Sequence, residues 1–259
     1  MSKSIFGVLF VVFLLAGTTS AANDPFVGQW KLSPSRSRFP DEMKVTAVSA
    51  NKYAFDFGAG NPEIIVADGS DQPGIFGTTL AVTVQGPDTW KVVRKKGGRT
   101  LLTGTWKLSQ DGKTLTDMYR ESQPDGSTLS MDYVYQRTTA GSGFAATWES
   151  VSEKMNSAYE VQIQAYGDNG LSIITPAEHS TRDVILDGKD HPIQGQDAPP
   201  GSASSGRRVN ERSLELASKH NGKITETRKI ELSPDLKTLT MTVQNAGRTK
   251  PNILVFERE

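Results

Sequence analysis

The feature that most constrains this chain is an internal duplication. The run TWKVVRKKGGRTLLTGTWKLSQDGKTLT, Thr89 to Thr116, aligns without a gap to SLELASKHNGKITETRKIELSPDLKTLT, Ser213 to Thr240. Each copy carries a turn pair (Gly97-Gly98, Asn221-Gly222) and closes on the same Lys-Thr-Leu-Thr, at Lys113–Thr116 and Lys237–Thr240. Upstream, DPFVGQW (Asp24 to Trp30) is matched by GFAATW (Gly143 to Trp148); downstream, VYQR (Val134 to Arg137) is matched by VFER (Val255 to Arg258). Trp148 follows Trp30 by 118 positions, Thr240 follows Thr116 by 124 and Arg258 follows Arg137 by 121. Copies in one order at a near-constant offset mark a tandem duplication. The small, polar run TTAGSG, Thr138 to Gly143, reads as the junction. It predicts units at 23–138 and 144–259, separated by a linker at 139–143.

Within each unit the local pattern is strand and turn. KVTAVS, YAFDF, TLAVTVQG, TWKVVRK and LSMDYVYQR are rich in β-branched and aromatic residues. In LSMDYVYQ, Leu129, Met131, Tyr133 and Tyr135 share one face, and only Val134 breaks the alternation. Asp-Gly, Gly-Gly and Asn-Gly pairs separate the runs and suit the positive φ angles of tight hairpins. No window offers a long amphipathic helix, and SVSEKMNSAY (Ser150 to Tyr159) is given one helical turn or two. Seven to nine short strands per unit predict an all-β chain of two tandem antiparallel up-and-down β-barrels with little helix. The first strand of each unit should meet the last one at closure.

The N-terminus reads MSKSIFGVLFVVFLLAGTTSAAND: Lys3, an apolar run from Ile5 to Ala16, then small residues. That is the layout of a secretory signal peptide over residues 1–22, with cleavage after Ala21 or Ala22. The expected location is therefore periplasmic or extracellular. No later stretch approaches the about 20 apolar residues of a membrane helix, so no stable anchor is expected after cleavage. Cysteine is absent, which excludes disulfides, thiolate metal sites and thiol nucleophiles. Twenty-nine basic residues balance 29 acidic ones, which argues against nucleic acid as a partner.

One stretch looks like chemistry: VILDGKDHPIQG, Val184 to Gly195, where Asp187, Asp190 and His191 fall close together. Its counterpart IIVADGSDQPG keeps Asp68, Gly69, Asp71 and Pro73 but has Gln72 where His191 stands. Glutamine is no general base and a poor metal ligand, so the shared part reads first as a turn, with Asp187, Asp190 and His191 kept as a weaker candidate site. His220 falls at a hairpin tip, and His179 lacks metal-ligand spacing. No nucleophile elbow, phosphate loop or EF-hand spacing occurs. Neither catalytic residues, nor a metal, nor a cofactor is expected. RKKGGR (Arg94 to Arg99) reads as a solvated, edge-protecting hairpin tip. GQDAPPGSASSGRR (Gly195 to Arg208) reads as a long flexible insertion.

Gly28-Gln29-Trp30, Thr116-Asp117-Met118-Tyr119 and Arg137 together resemble the landmarks of the lipocalins: Gly-X-Trp, a late Thr-Asp, and an Arg on the last strand. The second unit departs from the pattern, with Ala146-Thr147-Trp148 and Thr240-Met241 at these places. The chain also resembles secreted bacterial proteins whose lipocalin-like units open DPFVGTWKL and carry a DGKDYPVTG loop. The resemblance implies barrels whose floors are Trp–Arg cation–π stacks, Trp30 with Arg137 and Trp148 with Arg258, structural rather than ligand-binding.

The function this predicts first is binding of a small lipophilic molecule in a barrel cavity. The alternatives are a non-catalytic structural or interaction module of the cell envelope, and a barrel-type isomerase or hydrolase. The lumen discriminates between them: small apolar inward residues leave a cavity, large ones make a solid scaffold, and inward carboxylates with shifted pKa point to catalysis. Whether the two units pack on each other is left open.

Overall fold

The computed structural model describes residues 24–58, 61–156, 158–193 and 199–259. The expected signal peptide, residues 1–22, lies outside the described residues. The described chain is all-β: two antiparallel ten-stranded sheets, each nearly closed into a barrel. Among the described residues no helix is long and apolar enough to cross a membrane.

Strand formation follows the alternation in the sequence. In β10 (Thr128–Arg137), Met131 and Tyr135 are buried while Gln136 is exposed. Hairpin tips fall where the sequence tolerates positive φ. Gly97 and Gly98 join β7 (Thr89–Lys96) to β8 (Arg99–Leu108) with φ of 56° and 79°. Asn221 and Gly222 join β17 (Ser213–His220) to β18 (Lys223–Leu232) with φ of 49° and 76°. Both central residues are left-handed, the turn that matches the twist of paired strands.

The assignment of strands to barrels corrects the expected domain boundaries. The first sheet holds β2 (Glu42–Ser49), β3 (Lys52–Asp56), β4 (Glu63–Val66), β5 (Gln72–Pro73), β6 (Thr79–Gly86), β7, β8, β9 (Thr114–Ser122), β10 and β11 (Ala146–Met155). It is continuous in sequence. The second holds β12 (Glu160–Tyr166), β13 (Gly170–Thr175), β14 (Ser180–Ile185), β15 (His191–Pro192), β16 (Ser202–Asn210), β17, β18, β19 (Thr238–Asn245) and β20 (Asn252–Arg258). Its tenth stave is β1 (Gly28–Leu32), which lies between β12 and β20. The barrels are therefore offset from the repeats by one strand, and residues 139–143 lie in the β10–β11 loop inside the first barrel. β11 folds back on β10 and takes the place that β1 holds in the repeat order. β1 takes the equivalent opening beside the last strand of the second unit.

Two smaller expectations change as well. Ser150 to Met155 continue β11 as strand, paired to β10 across a bulge at Val134/Tyr135, instead of forming a helical turn. The expected flexible insertion becomes strand from Ser202, because Ser204 and Gly206 face inward and pair with β17. Its first part, Gly195 to Ala198, lies outside the described residues.

The repeated Asp-Gly turn closes each barrel. Asp68 bridges to Thr83, and Asp187 bridges to Arg207. The Gly69 N–H donates to Val82 O (2.9 Å) and the Gly188 N–H to Gly206 O (2.8 Å).

Candidate functional site

The four barrel-floor residues do form two Trp–Arg stacks, with partners exchanged relative to the expectation. The Arg258 guanidinium lies 4.1 Å from the Trp30 ring, and that of Arg137 lies 4.5 Å from Trp148. The exchange follows from the strand order, which puts Trp30 opposite Arg258 and Trp148 opposite Arg137. Each indole N–H is tied to a carbonyl four residues back, Trp30 to Phe26 O (3.0 Å) and Trp148 to Phe144 O (2.9 Å). Gly28 is needed beside the first stack: its φ is +153°, and a Cβ there would fall 2.7 Å from Arg258 Nη1. These are closures of barrel ends, with no room for a ligand.

The Asp187–Asp190–His191 cluster sits on the outer closing turn of the second barrel. His191 Nε2 is 3.0 Å from Asp187 Oδ1, and that contact, with the Lys189 N–H, holds the Asp187 carboxyl below its ordinary pKa. Asp190 is held by Lys219 Nζ at 2.8 Å. The first barrel repeats the arrangement: Lys95 Nζ donates to Asp71 (2.8 Å), and the Gln72 side chain brackets the Val66 backbone, accepting from its N–H (2.8 Å) and donating to its carbonyl (2.6 Å). Among the described residues, no three His, Asp or Glu side chains come together as metal ligands. His179 follows a 3-10 turn with φ of 49°, and His220 is exposed at its hairpin tip.

The chemistry gathers instead inside the first barrel, around a cavity of about 600 Å³. Its wall is largely apolar, with Met43, Phe57, Leu80, Val92, Leu102 and Trp106. One end is polar: Asp117 on β9, Tyr119 on the same strand, and Tyr133 and Tyr135 on β10. The mouth is covered by the other barrel, whose β19–β20 turn brings Asn245, Ala246 and Arg248 onto the opening. Arg248 Nη1 donates to Asp41 Oδ1 (2.6 Å) and to Glu42 O (3.2 Å), which ties that turn to the rim. Across the mouth, Arg94 grips Glu63 through two hydrogen bonds of 2.9 and 2.6 Å and also donates to Thr78 Oγ1. Arg94 is thus largely buried and not part of a solvated basic tip. The Glu63 carboxylate also accepts the Ile75 N–H (2.9 Å), pinning the loop that presents Phe76, 83 % exposed with φ of 54°, at the rim.

Asp117 is the unusual group. It is 8 % exposed, and its Oδ1 has no hydrogen-bond partner. Burial pushes its carboxyl up to about 7, only partly offset by the Trp106 indole N–H beside it; Asp41 and Asp132 add to the rise and Arg120 opposes it. That is the inward, perturbed carboxylate expected of a catalytic barrel. Yet no second acid, base or nucleophile is hydrogen-bonded to it, which suits recognition better than proton shuttling.

Position by position, the second barrel lacks all of this. The repeat places Arg228 at Gly104, Met241 at Asp117, Val243 at Tyr119, Leu254 at Tyr133 and Phe256 at Tyr135. Arg228 extends into the lumen, donating to Glu226 (2.7 and 3.0 Å) and lying against Met241 Sδ. Arg182 adds a further ion pair to Glu226 at 2.7 Å. Below this charged plug the lumen is close-packed: a Cβ on Gly206 would fall 2.4 Å from Val184 Cγ1. In the first barrel, a Cβ at Gly104 would fall 2.9 Å from Asp117 Oδ1 and 3.3 Å from Trp106 Nε1. The missing side chain at Gly104 is what leaves Asp117 facing open space.

No protein-family model and no curated protein matches this chain. The functional argument therefore rests on the lumen. Asp117 was visible in the sequence as half of the Thr-Asp landmark, and its lumenal role was missed. The signal was there in the inward differences between copies, Gly104 against Arg228 and Asp117 against Met241.

Proposed function

We propose that the protein is an exported, lipocalin-like carrier that holds one small, largely apolar molecule in the cavity of its first barrel. The observation that carries this reading is the contrast between equivalent positions: Gly104 and its neighbours leave about 600 Å³ in one barrel, while Arg228, Glu226 and Arg182 fill the other. A cavity of this size with an apolar wall and a few convergent polar groups is the usual form of a small-molecule site. The Trp–Arg stacks at the barrel ends support the lipocalin-like assignment, and the leader over residues 1–22 supports export.

The test is native mass spectrometry of protein purified from its own host, run beside Gly104→Arg. That variant places in the first barrel the side chain the second already carries, with Asp117 as its ion-pair partner. The wild type is expected to release a small apolar mass on unfolding and Gly104→Arg to release none, with the fold retained. Absence of any bound mass in the wild type, together with no uptake of apolar probes, overturns the carrier reading.

A further inference from the structure

We infer that the molecule held in the first barrel carries a protonated amine, seated against the Asp117 carboxylate among the rings of Tyr119, Tyr133 and Trp106. The inference rests on the carrier reading and narrows its ligand class.

Hydrogen-bond accounting at the polar end leads there. The tyrosine and arginine donors around Asp117 are already committed, and the Trp106 indole N–H lies beside it. The Tyr119 hydroxyl donates to Glu121 Oε2 (2.6 Å), that of Tyr135 to Asp41 Oδ2 (2.8 Å), and that of Tyr133 to Met131 Sδ (3.4 Å). The guanidinium of Arg94 is held by Glu63 and that of Arg248 by Asp41. What remains open towards the cavity is an acceptor, Asp117 Oδ1, more than nine-tenths buried and unpartnered. A buried acceptor left unsatisfied is costly, so the group that completes this end must bring donors.

Charge sharpens the choice. Asp41 and Asp132 both disfavour a negative charge on Asp117, and Arg120 only partly compensates. An ammonium relieves that repulsion and supplies N–H donors at once. Aromatic side chains at the same end add attraction for a cation through their ring faces. A ligand carboxylate would meet further negative charge there.

The experiment is isothermal titration of the full chain with three probes of one shape: octylamine, octanol and octanoate. Wild type, Asp117→Asn and Gly104→Arg are compared, with circular dichroism confirming that each variant is folded. Octylamine is expected to bind the wild type at least about tenfold more tightly than octanol, and octanoate more weakly than either. Asp117→Asn should remove that preference, bringing the affinity for octylamine down to that for octanol. The charged groups that act on Asp117 are Asp41, Arg120 and Asp132, with Tyr119, Tyr133 and Tyr135 beside it and Glu153 and Arg248 acting on Tyr133, so its own deprotonation near neutrality sets the pH response. Because the carboxyl must ionise to pair with the ammonium, octylamine affinity should rise about tenfold from pH 6 to pH 8. Equal affinity for amine and alcohol, or an affinity that falls with rising pH, overturns the amine assignment. If octanol also fails to bind, or binds Gly104→Arg equally well, the cavity is not the site and the carrier reading falls with it.

Discussion

Gly104 and Arg228 hold the same place in the repeat, and the difference between them decides what each barrel contains. With no side chain at Gly104, Asp117 keeps an open face and an unsatisfied oxygen. Such a group costs folding free energy when ionised. Its folded pKa, about 7, lies above the 3.8 of a free carboxyl, so the folded state holds the proton more tightly between those values. Stability should fall as pH rises from about 4 to about 7, by an amount on the order of a few kcal/mol. Asp117→Asn, which cannot ionise, should melt higher than wild type at pH 8, and the gap should narrow steadily as the pH is lowered towards 4; thermal melts across that range read this directly. The sequence shows an Asp in a Thr-Asp pair, but nothing local says that Gly104, diagonal to it on β8, leaves space beside it. For Asp187, Asp190 and His191 the pattern shows three polar residues close together, and the fold shows them on an outer turn.

At the level of elements, periodicity and turn chemistry made the strands and hairpins legible. Strand alternation in LSMDYVYQR, the left-handed Asn221-Gly222 pair and the closing Asp-Gly turns all survive in the structure. The partner of each strand was not legible. β1 and the start of β11 carry the same Trp signature, so either could close either barrel by local pattern alone. In the structure β11 pairs with β10 and β2, and β1 pairs with β12 and β20. The energetic signature is a double-mutant cycle. Trp30 and Arg258 should couple by about 1 kcal/mol or more, as stacked cation–π pairs do. Trp30 and Arg137, assigned to one barrel by the repeat alone, should show coupling near zero in denaturant melts.

At the scale of the whole molecule, the two barrels have taken unequal parts. One is hollow and lined with polar groups at one end; the other is filled and lends its β19–β20 turn as cover for its neighbour's mouth. The core of the hollow barrel runs from Met43 to Trp148, entirely within one continuous segment. A fragment spanning residues 38–156 should therefore melt cooperatively, whereas fragments cut at the repeat junction, 23–138 and 144–259, must close with β1 and β11 exchanged and should melt lower. Size-exclusion chromatography and circular dichroism melts distinguish these outcomes. The placement of β1 also sets an order of events on the ribosome. The hollow barrel has all its strands once β11 has emerged, and it can fold while the rest is being made. The filled barrel cannot close then, because its first-made strand must wait for β12 and for β20, near the far end of the chain. Closure of the second barrel thus ties β1 to β20: a chain that stops before β20 leaves β1 paired on one side only, with an open edge on the other.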